Sequence, residues 1–167
     1  MFLLYNIDMK IRTEMIGNNF PEGLSLQQES LEKIKKLLPN SQIEAVGAMA
    51  VPMIGRPEID LMVISENVAG DLNILIGNGY KQGPVVDGIS FLKMMVAGIE
   101  VAIQVIPVGH KMIDTHRNII ALLQKDGELR KRYEEFKSTL SGLSREEYKR
   151  KKSEWVKENI RPLLGQG

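Results

Sequence analysis

One stretch limits what this chain can fold into more than any other: EAVGAMAVPMIGRPEIDLMVI, residues 44–64. An alternating, strand-like entry reaches Gly47, passes through a loop of small residues with two prolines, and enters a second strand, EIDLMVI. That second run is apolar except for one acid at its centre, Asp60, held between Ile59 and Leu61. A carboxylate on an apolar strand is costly to bury without a partner. Asp60 is therefore either half of an ion pair, with Arg56 or Arg117, or a group reserved for a metal or substrate.

The rest of the chain supplies a sheet and helices around this pair of strands. LSLQQESLEKIKKLLPN reads as a first helix, with Ser25 and Gln28 as a capping box and Pro39 as its stop. After EIDLMVI, a helix over about 68–76 ends at Gly77 and Gly79. FLKMMV and IEVAIQVIPV then read as a hairpin turning at Ala97 and Gly98. From Asp114 onward the pattern is helical, and the last helix opens with a capping box at Ser144 and Glu147. The predicted fold class is α/β or α+β: one domain over 1–167, with an α/β core at about 24–110 and a helical C-terminal third at about 113–160 packed on it. Residues 1–20 fit an extra strand, a short helix or a loose arm equally well.

Composition removes several function classes. The chain has no cysteine, which excludes disulfides, thiolate zinc sites and cysteine nucleophiles. Its two histidines, His110 and His116, are too few for a histidine-based metal site unless carboxylates complete it. A formal charge of +1 argues against the whole chain as a polyanion binder and leaves a local basic patch as the one route to nucleic acid. The four-residue apolar patch near the start is too short for a signal peptide or membrane span, so a cytoplasmic protein is expected. The basic run Lys149–Lys152 reads as a solvated helix face, and the methionines, Met94 and Met95 included, as core filling. Met49, Met53 and Met62 read as core filling too, with an apolar pocket wall as the alternative.

The motif VGAMAVPMIGRPEIDLMV resembles the GrpB branch of the nucleotidyltransferase superfamily. Gly47, Ala50, Val51 and Pro52 match the first half of the family's Gly-to-Asp signature. Pro57, Ile59 and Asp60 match the second half once the loop is shortened by one residue, with Arg56 in place of the family lysine. The helical tail, including Arg117 and KRYEEFK, is similar to the family's closing segments. The resemblance implies a mixed sheet flanked by helices and Mg²⁺-dependent nucleotidyl transfer from a nucleoside triphosphate to an acceptor. Magnesium between carboxylates and phosphates neutralises and aligns the reacting groups. In that reading Asp60 is a metal ligand and Glu100 a second catalytic acid. Gly47, Ala48, Met49, Arg56, Gln104 and Arg117 contact nucleotide or phosphate. The sequence also departs from the family. Ala48 and Met49 replace two hydroxyl residues, Met53 replaces a glycine, and Met62 stands where a second acid is expected. The alternative is a catalytically inactive module on the same fold that binds a nucleotide, another small molecule or a protein.

Overall fold

The computed structural model describes residues 21–51 and 53–165. Residues 1–20, whose form was left open above, and Pro52 of the motif lie outside the described residues. Five strands form one sheet in the order β1-β2-β5-β4-β3: β1 (Gln42–Val46), β2 (Glu58–Ser65), β3 (Lys81–Val86), β4 (Ile89–Val96) and β5 (Ile99–Pro107). The central pair, β2 and β5, is parallel and the other pairings are antiparallel, so the sheet is mixed. Helices α1 (Pro21–Leu37) and α2 (Val68–Gly77) precede the hairpins, and α3 (Lys111–Lys125), α4 (Gly127–Thr139) and α5 (Arg145–Asn159) follow them. Among the described residues, no helix is long and apolar enough to cross a membrane.

Strand alternation divides β2 between two environments. Ile59, Leu61 and Val63 face a fully apolar layer with Val101, Ile103 and Val105, covered by Ile34 of α1, Leu38 just after it and Leu75 of α2. Each of these side chains, withdrawn from water, contributes about 2–3 kcal/mol. Glu58, Asp60, Met62 and Ile64 point the other way. Near the carboxyl end of β2 that face is apolar too, with Met62, Ile64 and Ile106 packed on Ile113 of α3. Towards its amino end the apolar layer stops, and α3, α4 and α5 build their own core from Leu123, Leu129, Tyr133 and Ile160. The Trp155 ring stacks on Tyr133 at 4.8 Å and on Phe136 at 5.4 Å.

Several local expectations are corrected. The first helix begins at Pro21, so Ser25 lies inside it and donates to Glu29 rather than capping. Gly77 belongs to α2, and Gly79 alone takes the left-handed conformation. An unforeseen edge strand, β3, pairs with β4 across a turn at Asp87 and Gly88. Helix α3 begins at Lys111, capped by His110 Nδ1, which accepts from the Met112 amide. Met95 is 42% exposed and so fills no core. The Ala97–Gly98 hairpin and the Ser144 cap stand as expected, with Ser144 Oγ accepting from the Glu147 amide.

Candidate functional site

Gly47 ends β1 with φ +72°, and residues 48–50 form a single 3₁₀ turn behind it. The glycine has two reasons to be there. Its φ lies in the left-handed region, and a Cβ built on it would come within 2.3 Å of Asp60 Oδ2. The loop glycine and the strand acid are thus in direct apposition. They share a cavity of about 210 Å³ with Ala48, Gln104, His116 and Lys152. Met53, Ile119, Ile120, Leu123 and Tyr133 supply an apolar wall.

The loop after Gly47 is clamped from α4. The Ile54 amide donates to Glu134 at 2.8 Å, and Lys137 Nζ donates to the Ile54 carbonyl. Glu134 and Lys137 lie three residues apart and therefore project from one helix face. Lys137 is 1% exposed, and its ammonium sits 4.6 Å from the centre of the Tyr133 ring. Burial, reinforced by the charge of Lys152, pulls its pKa down to about 7.

The register places three acids on one face of the central strands. Glu58 lies opposite Glu100, and Asp60 is opposite Ala102, with Gln104 one step further along. Burial pushes the Asp60 carboxyl up to about 7, helped by Glu58 and Glu100 and opposed by Lys152 and Lys149. Glu100 behaves oppositely. Hydrogen bonds from Arg145 hold it down at about 2 against the effect of burial. Both nitrogens of the Arg145 fork engage Glu100, and the same guanidinium is 3.6 Å from Glu58. Lys93 approaches Glu100 from β4 at 3.6 Å.

The cations on α5 are placed by helical period. Arg145, Lys149 and Lys152 are spaced at i, i+4 and i+7 and face the acids. Lys149 acts on Glu58 and Glu100, and Lys152 lines the cavity and acts on Asp60. Tyr148 lies between them, its phenol pushed up to about 12 by burial, and the Arg56 guanidinium stacks over its ring at 4.9 Å. Lys149, Arg150 and Lys151 remain exposed, as expected for the basic run, and Lys152 alone is partly withdrawn from solvent.

The expected residues therefore divide. Gly47, Ala48, Asp60 and Gln104 converge on the cavity. The Met49 side chain is buried, 7% exposed. Arg56 and Glu100 lie in an adjoining recess with Glu58 and Arg145. Arg117 turns to Glu44 in an ion pair, so the Asp60–Arg117 pairing does not form. His116 lies in the second turn of α3. Its Nε2 meets Gln104 Oε1 at 3.0 Å, and burial lowers its pKa. Sequence reasoning missed Glu58, although Glu58 and Asp60 have the i, i+2 spacing of side chains that share a strand face.

The same geometry tests the magnesium expected at Asp60. Among the described residues, no group of three or more histidine or carboxylate side chains is positioned to hold a metal ion. Both Glu100 oxygens are engaged by Arg145, which also reaches Glu58. The residues present do not fit a divalent ion in this arrangement.

Comparison with known proteins follows the fold. The family described as GrpB protein matches residues 18–161. A UPF0157 protein of Vibrio cholerae is 29% identical over 139 residues, covering 80% of this chain and 71% of the relative. Among solved structures, the GLD-2/RNP-8 complex superimposes with a TM-score of 0.54 at 13% identity, over 83% of this chain and 53% of that one. A cytoplasmic RNA terminal U-transferase gives 0.51 at 14%, over 81% and 44%. The Cid1 poly(U) polymerase with Mg 3'-dATP bound gives 0.50 at 14%, over 77% and 43%. The chain spans about half the length of these solved chains, and the likeness establishes a nucleotidyltransferase-like fold.

Proposed function

The chain belongs to the GrpB family, and from that footing we propose that it binds a nucleoside triphosphate in the cavity beside Gly47. The observation that carries the reading is the convergence of a glycine turn and Lys152 on one hollow, with Lys149 alongside. Phosphates need cations and a close backbone, and these residues provide both. Val51, Met53, Ile120 and Tyr133 offer an apolar wall for the base. Support for the ligand class comes from the fold it shares with a polymerase solved with Mg 3'-dATP bound. The partner is thus a nucleotide, in a cytoplasmic setting. The near-neutral formal charge of +1 gives no reason to invoke nucleic acid as the main partner.

Magnesium-dependent nucleotidyl transfer to an acceptor is the second reading. What favours it is the row of Glu58, Asp60 and Glu100 on one sheet face. What weighs against it is the Arg145 fork on two of those acids, so binding without transfer takes precedence.

Calorimetric titration of ATP, GTP, CTP and UTP, with and without Mg²⁺, tests both. Metal-independent binding that weakens at least about tenfold in Lys149→Ala/Lys152→Ala, a loss of about 1.4 kcal/mol, supports the binding reading. Binding that requires Mg²⁺ and disappears in Asp60→Ala supports transfer. Binding of none of the four nucleotides overturns both.

A further inference from the structure

Building on the nucleotide reading, we propose that Arg145 is a resident substitute for the divalent cation, so that this cleft handles its ligand without metal. Three acids share this stretch of the sheet: Glu58 and Glu100 are register partners on parallel strands, and Asp60 follows on the same face. Yet the space between the two glutamates holds a guanidinium, forked onto both oxygens of Glu100 and 3.6 Å from Glu58. Such a fork matches the two oxygens of a carboxylate with planar, directional donors, which a hydrated metal ion would have to displace.

Charge balance argues the same way. The groups facing this row are Arg145, Lys149 and Lys152 from α5 and Lys93 from β4, with Arg56 lining the same recess. These cations already offset Glu58, Asp60 and Glu100. A further divalent charge would enter a region without excess negative potential, so Coulomb attraction gives it little reason to bind. Arg145 is also held in place from its own helix. Ser144 caps α5 immediately before it, so the guanidinium springs from a fixed first turn. A nucleotide arriving here meets a guanidinium and two ammonium groups where a metal enzyme would present ions. The cation that neutralises phosphate is then carried by the chain itself.

The test uses Mn²⁺ alone, without nucleotide, followed by its electron paramagnetic resonance signal on the full chain. Wild type is expected to show no stoichiometric binding up to about 1 mM Mn²⁺. Arg145→Gln is expected to bind one ion at least about tenfold more tightly than wild type, because removal of the guanidinium exposes the acid row. Arg145→Gln/Glu100→Gln is expected to lose that gain. Circular dichroism establishes that each variant is folded, and Arg145→Met, which removes the charge but keeps a long side chain, replaces Arg145→Gln if the latter is not. Stoichiometric Mn²⁺ binding by wild type overturns the proposal. So does a folded Arg145 variant that gains no Mn²⁺. Neither result depends on nucleotide binding, whose failure would appear only in the calorimetry.

Discussion

The two faces of the sheet are built on different principles although they share the same strands. Under α1 and α2, β2 and β5 present Ile59, Leu61, Val63, Val101, Ile103 and Val105 to one another and to apolar helices. Under α4 and α5, the amino end of the same two strands presents Glu58, Asp60 and Glu100 to arginine and lysines. The apolar face is held by area, which is insensitive to detail. The charged face is held by specific pairs, each of which fails separately. The contrast teaches that stability and binding are divided along β2: its odd positions hold the fold, and of its even ones Glu58 and Asp60 make the site while Met62 and Ile64 pack on α3.

The sharpest way to break this division is on the apolar face. Leu61→Ala removes a side chain that is 0% exposed and is expected to cost about 3–4 kcal/mol, with no change between pH 5 and pH 8. Urea unfolding at the two pH values measures it. A marked pH dependence would mean that the two faces are not separate.

Gly47→Ala comes next, at about 2–3 kcal/mol, because it combines a left-handed backbone with a collision at Asp60 Oδ2. In Gly47→Ala/Asp60→Gly the collision disappears and only the backbone term remains. A double-mutant cycle should therefore show coupling of about 1 kcal/mol or more. Additive effects would place the two residues out of contact.

The smallest effect is a slope. The carboxyl of Asp60 titrates near pH 7 in the folded chain and near pH 4 when unfolded, so the folded form holds the proton more tightly. Wild type must then lose stability relative to Asp60→Asn as pH rises from about 4 to about 7. Because the group borders an open cavity, about 1–2 kcal/mol of the loss is expected. Unfolding midpoints of both proteins at pH 5 and pH 8 give the difference, and parallel curves would refute the raised titration.

How far the sequence revealed this arrangement follows from the range of each interaction. The Ala97–Gly98 turn and the Ser144 cap were readable because they are closed within a few residues. The Gly47–Asp60 convergence was readable because one short loop joins them and the resemblance fixes its form. Strand β3 was not, since Gly83 and Pro84 break its alternation and its side chains are all exposed. Reading Ser25 as a cap failed because the helix continues upstream to Pro21. The inward turn of Arg145, Lys149 and Lys152 was hidden because helical phase becomes meaningful only once the packing partner is known. In sequence, the four consecutive cations pointed everywhere equally.

Arg145 lies 45 positions after Glu100 along the chain. On a ribosome adding about 5–20 residues per second, the carboxylates of the central strands therefore emerge several seconds before the side chain that balances them. Throughout that interval Lys93 and Arg56 are the cations beside the acid row, which still lacks the Arg145 fork. Final closure waits for the last helix, so translation order makes the pocket the latest part of the molecule to mature.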